Sequence, residues 1–166
     1  MSHGVPESPL PAVARNALAA WREAGERIVF TNGVFDLLHR GHVEYLAEAR
    51  ALGQRLVVGV NSDASARRLK GPSRPIVAAA DRVAVLEALA AVDLAVVFEE
   101  DTPERLIRAI EPDVLVKGGD WALDAIVGRD FVEARGGSVR VIPVRSGHGT
   151  SRLVERIRAG RSALEP

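Results

Sequence analysis

A chain of 166 residues is long enough for one domain with a real hydrophobic core and too short for two. Its 22 basic and 22 acidic side chains cancel, so a nucleic-acid partner gains no bulk electrostatic support and any anionic ligand must be held by local geometry. Cysteine is absent, which excludes disulfides, thiolate nucleophiles and Cys-based metal sites. No run approaches the ~20 apolar residues of a membrane span, and the opening "MSHGVPESPLPAV" lacks the basic start and apolar block of a signal peptide. The expectation is a cytoplasmic protein with neither membrane nor nucleic acid as partner.

Residues 11 to 24, "PAVARNALAAWREA", set a proline at the head of an Ala-rich run that stops at Gly25, which predicts a helix ahead of the first strand. Residues 1–26 are accordingly read as a helical extension, 27–160 as the main domain and 161–166 as a tail. "RIVF" reads as a short buried strand. "HVEYLAEARAL" then spaces His42, Tyr45, Leu46, Ala49 and Leu52 along one helical face, and "RLVVGV", residues 55 to 60, is the next strand. This is a strand-helix-strand unit with a crossover of the length that parallel pairing requires. A polar segment "NSDASARRLKGPSRPIVAA" follows, then helix "DRVAVLEALAAV", strand "LAVVF", helix "TPERLIRAI" and strand "DVLVKG". "FVEARGG" ends a further helix, "SVRVIPV" is a fifth strand, and "TSRLVERIRAG" is a closing helix capped by Thr150 or Ser151. The alternation predicts an α/β fold, a doubly wound sheet of about five parallel strands covered on both faces.

Ligands of such sheets lie beyond the carboxyl ends of the strands, where strand order reverses. That directs attention to residues 31–42, 61–75, 117–121 and 145–152. In the first, Gly33 permits a sharp turn before a helix whose free N–H groups favour an anion. The segment lacks both G-x-G-x-x-G and G-x-x-x-x-G-K-[ST]. His39 and His42 flank Gly41 in an H-x-G-H pattern; two imidazoles there can donate to phosphate oxygens, or one can cap the helix while the other packs in the core. A pair bracketing a glycine at the ligand edge favours phosphate. Zinc is disfavoured, because the chain has no H-E-x-x-H and its only other downstream histidine is the remote His148, so no metal site is assigned.

The second loop concentrates Asn61, Ser62, Asp63, Arg67, Arg68, Lys70 and Arg74; Arg67 and Arg68 suit a solvated surface, whereas Lys70 precedes a Gly-Pro turn. In the third, Gly118 and Gly119 allow close approach to a flat ligand. Asp120 either accepts from ribose hydroxyls or caps a helix. Lys117 flanks the loop, and Trp121 either stacks on a ligand or covers the core.

Taken in order, "TNGVFDLLHRGHVEYL", "VGVNSDASARRLKGPSRPI", "DRVAVLEALAAVD", "FEEDTPERLI" and "PDVLVKGGDW" resemble the cytidylyltransferase-like nucleotidyltransferases. More closely, they are similar to the heptose 1-phosphate adenylyltransferases, found alone or as one half of bifunctional ADP-heptose synthases. The resemblance runs from about residue 27 to about residue 157, and with no sugar-kinase segment before it the stand-alone form is expected. It implies a Rossmann-like sheet of the HxGH type and the reaction of ATP with D-glycero-β-D-manno-heptose 1-phosphate to ADP-heptose and pyrophosphate, for a lipopolysaccharide-type glycan. By the same resemblance His39, His42 and Lys70 are catalytic, contacting phosphates. Thr31, Asn32, Gly33, Val34 and Phe35 form the nucleotide wall with Lys117, Gly118, Gly119 and Asp120. Asp36, Asn61, Asp63 and Arg82 meet the acceptor substrate, Arg82 otherwise being an ordinary surface arginine. Thr150 and Ser151 hold phosphate; Gly149 stands where the family commonly has a serine, and His148 is the candidate to compensate. Mg2+ is expected to arrive with ATP, and a homodimer is expected. Two alternatives stay open: a cytidylyltransferase acting on glycerol phosphate or a similar alcohol phosphate, and a nucleotide-binding module without turnover.

Overall fold

The computed structural model describes residues 8–143 and 149–160. Along the chain run α1 (Ala12–Glu23), β1 (Ile28–Gly33), α2 (Arg40–Arg50), β2 (Arg55–Asn61), α3 (Asp63–Lys70), α4 (Ala79–Glu87), β3 (Leu94–Phe98), α5 (Glu104–Ile110), β4 (Val114–Gly118), α6 (Arg129–Ala134), β5 (Ser138–Ile142) and α7 (Thr150–Arg158), with a 3-10 turn at Leu123–Ala125. The sheet is parallel throughout in the order β3-β2-β1-β4-β5. The chain therefore winds outward from β1 to β3, then returns to lay β4 on the other side of β1. The crevice of a doubly wound sheet falls at that reversal, between the carboxyl ends of β1 and β4.

Alternation along the strands sorts side chains onto two faces. Ile28, Phe30, Val57 and Leu115 pack with Leu106, Ile107 and Ile110 of α5 and Val132 of α6. Val29, Val58, Val60 and Val116 pack with Leu46 and Ala49 of α2 and Leu86 of α4. Gly59 is what lets the first layer close, since a Cβ there would stand 2.9 Å from Phe30 Cζ and 3.1 Å from Leu106 Cδ2. The N-terminal helix is part of this core and not an appendage: Leu10, Ala14 and Leu18, spaced four apart, are buried in the cluster that holds Phe30, and Arg22 donates to the Ile110 carbonyl at the end of α5.

Three elements depart from the sequence reading. β1 runs on through Thr31, Asn32 and Gly33, because these polar residues keep register with Val58, Gly59 and Val60 of β2. The stretch read as polar contains α3, whose first turn is secured by Ser62 Oγ accepting from the Ser65 amide at 3.1 Å and whose last turn carries Arg67, Arg68 and Lys70 at the negative end of the dipole. α7 is capped neither by Thr150 nor by Ser151; the N-cap position is Gly149, and both hydroxyl residues lie inside the first turn.

Candidate active site

Two hollows, of about 310 and 360 Å3, open side by side at the carboxyl edge of the sheet. Both are lined by Val34, Phe35, His42, Lys70, Gly149 and Thr150, so four separate chain segments meet where the hollows join. The larger reaches Asn32, Gly33, Tyr45 and Gly118 at the crevice between β1 and β4. The smaller extends instead to Asp36, Arg74, Ser151 and Arg152. A third hollow of about 430 Å3 lies at the opposite, amino edge, around Arg22, Arg27 and Asp113. Its groups are largely committed to the fold: Asp113 accepts from the Ile28 amide at 2.7 Å, and Arg135 pairs with Glu111 at 2.7 Å.

His42 sits at the junction, and His39 beside it lines the larger hollow. His39 occupies the N-cap position of α2 in extended backbone, yet its side chain makes no capping bond; its ring stacks on His42 at 4.0 Å between centroids and 30° between planes. Phe35 closes the other side of His42, at 5.5 Å. The capping alternative is thus set aside for His39. Burial, then the neighbouring His39, push the His42 pKa down to about 4, so it is a neutral imidazole at neutral pH in the free protein. Its Nδ1 is buried with no hydrogen-bond partner among the described residues.

This shift has a consequence for stability. Unfolded His42 titrates near its ordinary 6.5 and folded His42 near 4, so between those values the unfolded chain binds more protons and stability falls as the pH drops. The expected result for His42→Gln is a thermal midpoint that declines less steeply than wild type from pH 6.5 to 4, measured by calorimetry across that range. Identical slopes would mean that His42 is not held neutral by the fold. The carboxylate of Asp36 does not confuse this window. Burial works to raise its pKa but is outweighed by the Val77 and Ile76 amides and by Arg74, leaving it below the ordinary 3.8; the stability it contributes is lost only under more acid conditions.

The backbone turn assigned to Gly33 is made two residues later. Phe35 carries the positive φ of 49°, while Gly33 provides room, since a Cβ on it would meet Phe35 Cε2 at 3.0 Å. Thr31 is assigned to the nucleotide wall through its backbone; its side chain is fully buried, and its hydroxyl is bonded to Tyr45 Oη at 2.6 Å. The Tyr45 hydroxyl, desolvated there against that opposing bond, is pushed up to about 12 and stays protonated. Asn32 accepts from Lys117 Nζ at 2.8 Å, a bridge across the β1/β4 reversal. Burial lowers the Lys117 pKa, and its ammonium stands 5.7 Å from the Trp121 ring centroid. Gly118 reaches the larger hollow. Gly119 has a φ of 110° and bonds through its amide to Ile142, serving the turn. Asp120 is exposed and caps nothing, because the 3-10 turn that follows has Ala122 at its N-cap position. Trp121 is half exposed and leaves the core uncovered.

The acceptor-binding set is reassigned most. Asp36 is 4% exposed, and its carboxylate is taken by Arg74 Nε at 2.5 Å and the Ile76 and Val77 amides at 2.8 Å; it fastens residues 74–77 over the smaller hollow. Arg82 is not a surface arginine. Its side chain is wholly buried and donates to the Val77 carbonyl at 2.9 Å, the Val34 carbonyl at 2.5 Å and Asp63 Oδ1 at 2.8 Å. Asp63 Oδ1 also accepts from the Ala79 amide at 2.8 Å, so it clamps α3 to α4, while the side chain stays 42% exposed. Asn61 is buried and donates to Ser65 Oγ at 3.0 Å, inside the fold. Lys70 does reach both hollows. Thr150 Oγ1 donates to the Leu37 carbonyl at 3.4 Å, joining α7 to the histidine loop. His148 lies outside the described residues.

Arg74 and Arg152 line the smaller hollow without having been assigned to it. Arg152 had a signal: a cation in the first turn of a helix opposes the macrodipole, and α7 has no acidic residue there to balance it. Arg74 had only its membership of the basic second loop, because its exact place depends on Asp36, 38 residues away.

Comparison with known proteins agrees with this architecture. A cytidylyltransferase-like family model matches residues 30–161. The chain is 54% identical over 148 residues to the bifunctional protein HldE of Magnetococcus marinus, covering 89% of this chain and 30% of that protein. It is 58% identical over 137 residues to the bifunctional protein HldE of Ectopseudomonas mendocina, covering 82% and 29%. The chain thus spans about three-tenths of the length of these curated relatives. Among solved structures, the lipopolysaccharide core biosynthesis protein from Thermoplasma volcanium superposes with a TM-score of 0.61 at 31% identity, over 73% of this chain and 98% of that one. No helix among the described residues is long and apolar enough to cross a membrane. The reversal at β1/β4, the stacked H-x-G-H pair and the family match together place this chain in the cytidylyltransferase-like family.

Proposed function

We propose that the protein is an adenylyltransferase that joins ATP and D-glycero-β-D-manno-heptose 1-phosphate to give ADP-heptose and pyrophosphate, feeding a lipopolysaccharide-type glycan. One observation carries the reading: the His39/His42 stack lies where two hollows meet, with Lys70 and Thr150 brought to the same junction. A transferase needs two substrate places sharing one reacting atom. The nucleotide is assigned to the larger hollow, at the strand reversal, and the acceptor to the smaller. The Thermoplasma volcanium relative, a lipopolysaccharide core biosynthesis protein, supports the sugar side, as does the motif resemblance to ADP-heptose synthases.

In the step itself, an oxygen of the sugar phosphate attacks the α-phosphorus of ATP, and the bond from that phosphorus to the β-phosphate oxygen breaks, releasing pyrophosphate. A phosphate monoester with a second pKa of about 6 is already largely dianionic at neutral pH, so no base has to remove a proton. The protein's contribution is alignment and charge stabilisation. Neutral His42 donates an N–H toward charge that builds on the phosphates, and Lys70 neutralises charge between the substrates. Mg2+ is assigned to the triphosphate. Asp36 is the one carboxylate lining either hollow among the described residues, and its oxygens are engaged by the 74–77 segment. Mg2+ supplies further charge neutralisation when bound.

The test is pyrophosphate release from ATP or CTP, with and without the β-heptose 1-phosphate. Release with ATP that depends on the sugar phosphate is expected. A preference for CTP would sink the adenylyl reading, and no release with any sugar or alcohol phosphate would leave a binding module.

A further inference from the structure

The smaller hollow carries more positive charge than a transfer step at His42 requires. Lys70, Arg74 and Arg152 line it against a single carboxylate, Asp36, in a chain whose charges balance overall. Asp36 is turned away from any ligand, its oxygens filled by the Ile76 and Val77 amides and by Arg74 Nε. Arg74 is therefore gripped from behind. Its side chain is only 15% exposed, and among the described residues its Nη1 and Nη2 donate to no protein group. A guanidinium presents five donors in one plane, so anchoring Nε leaves the terminal edge as a preformed fork. The edge faces the hollow, where an anion can take the place of water on both nitrogens at once.

We propose that Arg74, aimed by Asp36, recognises the phosphate of the acceptor substrate, and that this hollow takes a dianionic phosphate monoester; the proposal rests on the adenylyl-transfer reading above. Three cations less one carboxylate leave two positive charges, matching the two negative charges of the monoester. The fork binds two of the three terminal phosphate oxygens side by side, the geometry in which arginine differs from lysine. The third oxygen is left to face the α-phosphorus, because the hollow joins the nucleotide side at His42 and Thr150. Arg74 is thus a specificity residue for the acceptor, and Asp36 a positioning residue that acts through it.

Steady-state kinetics of Arg74→Gln and Arg74→Lys test this. Loss of a charged two-pronged contact is expected to raise the KM for heptose 1-phosphate roughly 10- to 100-fold in Arg74→Gln, with the KM for ATP within about twofold and a smaller rise in Arg74→Lys. A parallel rise in both KM values, or a fallen thermal midpoint with an unchanged acceptor KM, would overturn the proposal and leave Arg74 a structural tie. A second measurement separates this from failure of the substrate reading: inorganic phosphate is titrated calorimetrically into wild type and Arg74→Gln. Weaker phosphate binding by the variant supports the fork even if heptose 1-phosphate proves not to be the acceptor. Equal binding removes it.

Discussion

Replacing His42 by alanine is expected to lower the turnover number of the proposed adenylyl transfer by about 10²- to 10³-fold, the usual scale for losing one preorganised donor to developing charge, while the Kd for ATP changes only a few-fold. The asymmetry follows from where His42 sits. It lines both hollows at their junction, and it is neutral in the free protein because burial and His39 hold its pKa near 4. A neutral donor adds little to ground-state binding of a triphosphate but stabilises the charge that builds as pyrophosphate departs, and only the latter accelerates the step. Removing His39 as well should cost much less than the product of the single effects, because the two rings act as one stack. Single-turnover kinetics beside an ATP titration check this, and near-normal turnover in His42→Ala would remove the residue from catalysis.

Arg82→Lys is expected to destabilise the fold by about 3 kcal/mol, the scale of leaving buried acceptors without their donor, which for a chain of this size moves the thermal midpoint by roughly 6–12 °C. A lysine keeps the charge but cannot span the three acceptors that the guanidinium reaches at once, the Val77 and Val34 carbonyls and Asp63 Oδ1. The two carbonyls would be left short of a donor in a place shielded from water. Denaturant and thermal unfolding measure the loss. A phosphate contact would give the reverse signature, weaker substrate binding at an unchanged midpoint, and that outcome would restore Arg82 to the site.

The strands were legible because a buried parallel strand is written as an uninterrupted apolar run, as in "RLVVGV" and "LAVVF". The H-x-G-H pair was legible for a similar reason: its meaning lies within four consecutive residues at a strand exit. What misled was the assumption that polar residues in ligand-edge loops face the ligand. Asp36, Asp63 and Arg82 are polar and near the site, yet their partners are backbone groups and side chains 5 to 48 residues away. Such pairing is invisible to a reading along the chain. α3 was hidden by composition, since Ser62 and three basic residues look like a solvated loop until the serine is seen accepting from the Ser65 amide. Arg74 shows the opposite failure: a residue left unassigned becomes a candidate ligand contact once Asp36 is placed behind it.

The family match begins at residue 30, but the cluster that contains Phe30 also contains Leu10, Ala14 and Leu18. Cutting the chain to the matched segment would remove Leu10, Ala14 and Leu18 from that cluster and uncover part of the apolar surface they share with Phe30 and with Ile110 at the end of α5. Such a fragment would carry the H-x-G-H loop intact and still tend to aggregate through its uncovered face. For exchange of this module between proteins, the heritable unit is longer than the recognisable one, and the graft point belongs ahead of Leu10.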